Sequence, residues 1–155
     1  MFLGKLKINK NRPPIIVAEL SGNHDGSLDK ALKIVDAVAK SGADAIKLQT
    51  YTPDGMTLNL KKKEFVIKDS NSPWNGFSLY DLYKKAMTPW GWHKPIIEHA
   101  KKRGLVCFSS PFDDKAVDFL EKLNVPAYKI ASFENVDLPL IRKVSSKKKP
   151  IIIST

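Results

Sequence analysis

Cysteine, long apolar runs and acidic residues are all scarce in this chain. Its single cysteine, Cys107, excludes an internal disulfide, and its apolar neighbours are typical of a small core residue rather than a nucleophile. No run of about 18 apolar residues occurs, and the N-terminal segment lacks the apolar stretch of a signal peptide. The sequence therefore indicates neither membrane insertion nor secretion, and it favours a reducing, cytoplasmic location.

The shortage of acidic residues leaves the chain strongly basic. Lys and Arg total 26 against 16 Asp and Glu, which gives a net charge of +10 and favours anionic partners. The basic runs at 61–63, 101–103 and 147–149 fall in a loop and at predicted helix ends, without interleaved aromatic residues. This arrangement is typical of solvated cations that offset helix dipoles. The sequence therefore argues against nucleic acid as a partner and leaves a small anionic substrate.

Histidine is rare as well, with three residues in the chain. His93 and His99 are six residues apart on a predicted helix, which is not the spacing of a helical metal pair, and both are interpreted as non-catalytic. His24 lies in the turn-like segment Asn-His-Asp-Gly and is predicted to shape that loop. No cluster of His, Cys, Asp and Glu predicts a metal site in this chain.

Five short apolar runs, each ending at polar residues, recur along the chain. Such runs separated by helical patterns predict a parallel sheet joined by right-handed crossovers. A barrel is favoured over an open sheet, because an open sheet places its ligand at the few strand ends beside one crevice, whereas here all five runs end in polar residues. The predicted strands span residues 15–19, 45–49, 105–109, 127–131 and 150–154.

A complete (β/α) barrel has eight strands in about 250 residues. The chain is therefore predicted to contain the first five strands of a TIM-type α/β barrel, as one N-terminal portion without an internal boundary. A short edge strand at 5–9 is predicted to cap the barrel floor. A long excursion after the second strand is predicted to form a lid or substrate loop. Helices are predicted over 27–40, 78–87, 89–103, 113–123 and 138–145.

Two lysines are predicted to face the barrel interior. Lys47 and Gln49 are two residues apart on one strand and so point to the same face. A lysine inside a barrel needs an anion, either a ligand or a carboxylate such as Glu19 or Glu134 in a structural ion pair. Lys129 repeats the pattern two strands later. With nearby serine hydroxyls, the lysines predict a phosphate cradle, and the two carboxylates are candidates for general acid or base work or for electrostatic roles.

Six motifs extend over nearly the whole chain. They are AELSGNH (18–24), GADAIKLQTYTPDGMTLN (42–59), SLYDLYKKAMTPWGWH (78–93), FSSPFD (108–113), YKIASFENVDLPLI (128–141) and PIIIST (150–155). Together they resemble the N-terminal barrel of the sialic acid synthase family. Within this family they are most similar to the branch that makes pseudaminic acid, since Ser110 and Ala131-Ser132 stand where the N-acetylneuraminate branch has Thr and Gly-Ser.

The resemblance implies an enzyme that condenses phosphoenolpyruvate with an acetamido sugar and water, giving a nine-carbon 2-keto acid and phosphate. In the pseudaminic acid branch the sugar is a diacetamido-trideoxy hexose, 6-deoxy-AltdiNAc. The resemblance also implies a homo-oligomer and a divalent metal, Mn or Mg, whose ligands lie on later strands outside this chain. The second half of the family's barrel and its C-terminal antifreeze-like domain are expected to be absent from this chain. The implied phosphoenolpyruvate ligands are Glu19, Lys47, Gln49, Ser110, Lys129, Ser132 and Ser154, and the implied catalytic residues are Glu134 and Glu19.

Three alternatives remain open at this stage. The chain could belong to an N-acetylneuraminate or legionaminate synthase, or it could be an inactive truncated fragment that retains anion affinity. A different barrel enzyme, an aldolase with Lys47 or Lys129 as Schiff base, requires a lowered lysine pKa, which the surrounding serines and carboxylates are not expected to favour. We expect no synthase turnover from this chain alone, and self-association through its open strand edges.

Overall fold

A five-stranded parallel sheet with helices along its outer face forms the body of the protein. The computed structural model describes residues 1–154 of the 155. The sheet order follows the chain, from β3 to β7, and a two-stranded antiparallel hairpin precedes it. The strands are Phe2–Leu3 (β1), Leu6–Lys7 (β2), Val17–Glu19 (β3), Ala45–Thr50 (β4), Val106–Pro111 (β5), Tyr128–Ile130 (β6) and Ile151–Ile153 (β7).

Helices separate the strands of the main sheet, so the chain is an α/β half-barrel, as predicted. Side chains of Ser27, Ser78, Asp113 and Asp137 cap the N-termini of four of them by accepting a backbone N–H. The helices are Leu28–Lys40 (α1), Pro53–Met56 (α2), Leu79–Ala86 (α3), Trp90–Lys102 (α4), Asp114–Lys122 (α5) and Leu138–Ser145 (α6), with 3₁₀ turns at Lys63–Phe65 and Phe133–Val136.

The N-terminus differs from the prediction of one edge strand over 5–9. It forms the β1–β2 hairpin, because Gly4 adopts a φ of +57° that permits a tight reversal at this point. The predicted function of the segment as a floor is confirmed. Leu3 is 2% exposed and packs with Ala45, Val106 and Ala127, the residues at or beside the starts of three strands.

Side chains of the parallel strands alternate between two apolar cores. Ala45, Val106 and Phe108 belong to the inner core, whereas Ile46 and Cys107 pack outward with α1 and α4. Cys107 is buried, and burial raises the pKa of its thiol to about 12, which agrees with the predicted core role. The period of two along β4 therefore places Lys47 and Gln49 on the inner face, as predicted.

Residues 51–88, which connect β4 to α4, form an ordered cover at the carboxyl end of the sheet. The ring of Tyr51 makes edge contacts with Tyr83 and Phe112. Gly55 lies so close to α5 that a Cβ there would be 2.6 Å from Asp113 Oδ2. These contacts fix the excursion against neighbouring elements. Among residues 1–154 no helix has the length and apolar character needed to cross a bilayer.

Candidate active site

The carboxyl ends of the five parallel strands bring the predicted polar residues to one edge of the sheet. Glu19 on β3 is the register partner of Lys47 on β4, and Gln49 is the partner of Ser110 on β5. Lys129 on β6 is the partner of Ile152, two residues before Ser154. Because strands in parallel register present paired residues to the same face, these side chains line one continuous strip.

Lys47 and Glu19 form an ion pair across the first two strands of the sheet. The Lys47 ammonium nitrogen lies 3.4 Å from Glu19 Oε1. The lysine side chain is only 8% exposed, whereas that of the glutamate is 60% exposed. The ion pair that the sequence left as an alternative is therefore formed. It compensates a nearly buried cation without removing its partner from solvent.

Lys129 occupies the centre of the charged strip. Its ammonium group donates to the carbonyl of Ile130 at 2.8 Å and also to the hydroxyl of Ser154. Burial and then the nearby charge of Lys47 lower the pKa of Lys129, while Glu19 and Glu134 act in the opposite direction. The carboxylates therefore oppose a lowered lysine pKa, as expected, but burial and a second cation outweigh them.

Two polar atoms at this edge are buried without a hydrogen-bond partner among the described residues. One is the hydroxyl of Ser110, which is 0% exposed, and the other is Oε2 of Glu134 in the 3₁₀ turn after β6. Burial is the main cause of the raised pKa of Glu134. Asp137 raises this pKa further, whereas a backbone hydrogen bond and the charge of Lys129 lower it. Buried polar groups are usually paired, so an unpaired donor and a carboxyl with raised pKa are typical of a ligand site.

Ser132 and Gln49 are the least constrained of the predicted residues. Ser132 is exposed at the start of the 3₁₀ turn, and its side chain caps no backbone group. Gln49 is partly buried on the inner face of β4. Contacts or charges connect five of the predicted residues, Glu19, Lys47, Lys129, Glu134 and Ser154. Gln49 and Ser110 join the strip as register partners. Ser132 lies at its border.

A cavity of about 340 Å³ lies between the first β/α loop and the excursion. Asn23, Trp74 and Lys85 are among its lining residues, and none of the eight predicted site residues lines it. His24 lies in the same loop, is buried, and accepts the Gly26 N–H on Nδ1 at 3.2 Å. Its ring also contacts Trp92 edge-on, and burial lowers its pKa, so His24 shapes this loop as predicted.

The other two histidines form their hydrogen bonds on the outer, helix-covered side of the sheet. His99 Nε2 lies 2.7 Å from Asp36 and so joins α4 to α1. His93 is buried against Thr50, which hydrogen-bonds in turn to Ser109. The sequence analysis did not predict this trio, because it treated His93 by itself and did not pair it with Thr50 and Ser109. The signal that was available is two hydroxyl residues at outward positions next to Gln49 and Ser110.

Side chains that could bind a metal do not cluster among the described residues. Among residues 1–154 no three His, Cys, Asp or Glu side chains lie close enough together to hold a metal ion. The prediction that metal ligands lie outside this chain stays a prediction.

Comparison with known proteins gives consistent similarities. The model of the NeuB family matches residues 34–155. Pseudaminic acid synthase of Campylobacter jejuni is 50% identical over 147 residues, and that of Helicobacter pylori is 52% identical over 144 residues. These matches cover 95% and 93% of this chain but 42% of each relative, so the chain spans less than half the length of the relatives.

More distant relatives and solved structures extend the pattern. N,N'-diacetyllegionaminic acid synthase of Campylobacter jejuni is 34% identical over 142 residues, covering 91% of this chain and 42% of the relative. The crystal structure of N-acetylneuraminic acid synthetase from Leptospira borgpetersenii, in complex with citrate, superimposes with a TM-score of 0.82 at 27% identity. The superposition includes 99% of this chain and 48% of the chain of that structure.

Proposed function

Because the chain belongs to the NeuB family, we propose that its charged strip is the phosphoenolpyruvate-binding half of a pseudaminic acid synthase. The observation that carries the proposal is the placement of two inward lysines, Lys47 and Lys129, beside an unpaired buried hydroxyl at Ser110. Phosphoenolpyruvate carries phosphate and carboxylate groups that need this combination of point charges and hydrogen-bond donors.

Each proposed ligand has a role that its position supports. Lys129 supplies positive charge from the middle of the strip and orients the Ser154 hydroxyl, to which it donates. Lys47 supplies a second charge, which Glu19 holds in place through the 3.4 Å ion pair. Gln49 and Ser110 sit side by side as donors to anionic oxygens. Ser132, exposed at the rim, is placed to donate from the loop after β6.

The reaction forms one carbon–carbon bond and one carbon–oxygen bond to water, and it breaks the carbon–oxygen bond to phosphate. The methylene carbon of phosphoenolpyruvate attacks the aldehyde carbon of the sugar, whose oxygen takes up a proton. Positive charge develops on the phosphate-bearing carbon, and water adds there and gives up a proton. Phosphate then leaves, and the hydroxyl on this carbon loses its proton to give the 2-keto acid. Preorganised charges around the phosphate and carboxylate stabilise these steps.

Glu134 is the proposed acid or base near the reacting carbons. Its buried, unpaired Oε2 and its raised pKa favour the protonated carboxyl as a donor to the sugar oxygen or, once ionised, as the acceptor of a proton from water. Glu19 is a second candidate, although its ion pair with Lys47 makes an electrostatic role equally available. A divalent metal, Mn or Mg, would polarise the aldehyde in the whole enzyme, but the described residues do not form its site, and no step is derived through it.

The sugar is proposed to be 6-deoxy-AltdiNAc. Identity of 50–52% to two pseudaminic acid synthases supports this choice over the two alternatives. The corresponding identities are 34% to a legionaminic acid synthase and 27% to an N-acetylneuraminic acid synthetase. A homo-oligomeric assembly is proposed on the same family grounds.

A chimera tests the proposal while keeping the remaining parts of the enzyme constant. Residues 1–154 of this chain replace the matching segment of the Campylobacter jejuni pseudaminic acid synthase, and phosphate release from phosphoenolpyruvate is measured with manganese. We expect release with 6-deoxy-AltdiNAc and little with the acetamido sugar precursors of legionaminate or N-acetylneuraminate. A folded chimera that prefers one of the other sugars would overturn the specificity, and one that releases no phosphate would overturn the reaction.

A Schiff-base aldolase is a second candidate, because the pKa of Lys129 is lowered by burial and by Lys47. Borohydride reduction in the presence of pyruvate separates the two functions. The synthase proposal expects no adduct, whereas a stable pyruvyl adduct on Lys129 favours the aldolase. Binding of phosphoenolpyruvate without turnover in the chimera would instead favour an anion-binding module.

A further inference from the structure

The end of β4 is held from outside the barrel by a short chain of buried hydrogen bonds. Thr50 Oγ1 lies 2.8 Å from His93 Nε2 and 2.7 Å from Ser109 Oγ. The three side chains are at most 1% exposed. The other ring nitrogen of His93, Nδ1, lies 3.3 Å from the carbonyl oxygen of Pro89. Three polar side chains are therefore buried together, and their mutual bonds offset the cost of removing them from water.

The contacts define a direction for this chain of bonds. A carbonyl oxygen can only accept, so we assign the proton of the neutral ring to Nδ1, which faces the Pro89 carbonyl. Burial lowers the pKa of His93 and keeps the ring neutral. Nε2 then accepts from the Thr50 hydroxyl, whose oxygen accepts from the hydroxyl of Ser109. Each hydroxyl in the chain then donates to one defined acceptor.

These outward residues are direct neighbours of two inner residues of the proposed anion site. Thr50 follows Gln49 and Ser109 precedes Ser110, and Gln49 and Ser110 are register partners. The first turn of α4 also holds this strand end at the next residue, because Trp90 Nε1 donates to the Tyr51 carbonyl at 3.1 Å. α4 therefore contacts residues 50 and 51, at the end of β4, from the side opposite the proposed ligand site.

Aromatic side chains pack against this contact between α4 and β4. Phe119 of α5 contacts the His93 ring edge-on at 5.3 Å and stacks on Trp90 at 4.6 Å. An apolar side chain at position 93 could fill the same space. It could not orient the Thr50 and Ser109 hydroxyls, because it offers no hydrogen-bond acceptor. The histidine therefore contributes the orientation of these hydroxyls in addition to filling space.

We propose that His93 is a positioning residue, acting through Thr50 and Ser109 to hold Gln49 and Ser110 in place on the inner face. It contacts no substrate itself. The identity of the ligand rests on the proposed function, whereas the effect on Gln49 and Ser110 does not.

The first test compares isosteric and hydroxyl-retaining variants of the full chain by calorimetric titration with phosphoenolpyruvate. Thr50→Val and His93→Leu remove the hydrogen bonds at nearly constant volume, and we expect them to weaken binding roughly two- to tenfold, the range of a neutral hydrogen bond. Thr50→Ser keeps the hydroxyl and His93→Gln keeps an acceptor, so both should retain most of the affinity. Equal affinities across all four variants would overturn the proposal.

A second measurement separates positioning from general weakening of the fold. In a Gln49→Ala background the residue that Thr50 positions is absent, so Thr50→Val should cost much less affinity than it does in the wild type. A merely structural role predicts the same loss in both backgrounds, and that result would overturn the proposal.

A third measurement is independent of phosphoenolpyruvate. In nuclear magnetic resonance spectra the side-chain amide of Gln49 should shift in Thr50→Val and stay near its wild-type position in Thr50→Ser. His93 should show a proton on Nδ1 and none on Nε2. If the wild type does not bind phosphoenolpyruvate, the proposed function fails while these spectra still decide the positioning role. An unmoved Gln49 amide in Thr50→Val, or a protonated Nε2, would overturn it.

Discussion

Lys47 is almost fully enclosed while Glu19, its partner at 3.4 Å, remains open to solvent. We expect Glu19→Gln to lower the free energy of unfolding, because it removes the ion pair. The loss should be only about 1 kcal/mol, because water screens the exposed carboxylate. The loss caused by Lys47→Met should be smaller in the Glu19→Gln background than in the wild type, since the ion pair is then already broken. Urea denaturation of the four proteins measures this coupling, and strictly additive losses would show that the two groups do not interact.

Glu134→Gln should stabilise the fold in a pH-dependent manner. The raised pKa of Glu134 means that the folded chain binds this proton more tightly than the unfolded chain. The wild-type free energy of unfolding therefore falls as pH rises from the ordinary value of 4.5 through the raised folded pKa. The variant lacks this loss, so it should match the wild type below the window and exceed it above.

Thermal denaturation across this pH range tests the prediction for Glu134. The matched control is Glu98→Gln, which changes an exposed carboxylate on α4 and should keep the wild-type profile. A variant no more stable than the wild type at neutral pH would contradict burial of the Glu134 carboxyl.

Gly55→Ala should loosen the cover formed by residues 51–88. The added Cβ would lie 2.6 Å from Asp113 Oδ2, and Asp113 also caps α5 by accepting the Ala116 N–H at 2.7 Å. We expect a loss of about 1–3 kcal/mol in the free energy of unfolding, the usual cost of overpacking. Gly91→Ala on α4 has open space around its Cβ and should be neutral or stabilising by up to about 1 kcal/mol. Equal stability of the two variants would show that the cover is not packed on α5.

The strip of charges could be predicted from sequence because it depends on local rules. Alternation along β4 is enough to place Lys47 and Gln49 on one face, and parallel pairing brings Glu19 and Lys129 to the same edge. The contact between Gly55 and Asp113 joins residues far apart in the chain, and no local pattern predicts it. The same limit applies to the His93 hydrogen bonds, which bridge a helix and two strands.

The lowered pKa of Lys129 could not be predicted from the sequence for a different reason. The neighbouring carboxylates were expected to oppose such a shift, and Glu19 and Glu134 do so. Burial depends on how closely the strands and the loop after β6 pack, and that packing lowers the pKa. The N-terminal hairpin was missed because Gly4 was not considered as a turn with positive φ.

Self-association is expected from the outer strands of the sheet. β3 and β7 have no strand on their outer sides among residues 1–154, and Ile16 and Ile153 at these edges are 56% and 50% exposed. Light scattering should show a mass that rises with concentration. Ile153→Lys should reduce the association, whereas Leu58→Lys, which changes an exposed residue of the excursion, should not. A monomer of constant mass in the wild type would contradict this expectation.

Calorimetric titration of phosphoenolpyruvate tests the central claim most directly. Lys47→Met and Lys129→Met remove one charge each at nearly constant volume, and each should weaken binding by about 1.5–3 kcal/mol, the range of a hydrogen bond to a charged group. Lys94→Met, which changes an exposed lysine on the outer face of α4, serves as the control and should bind like the wild type. The account predicts that the wild type binds phosphoenolpyruvate and that both inner-face variants bind it more weakly by this amount. Affinity unchanged in Lys47→Met and Lys129→Met would contradict it.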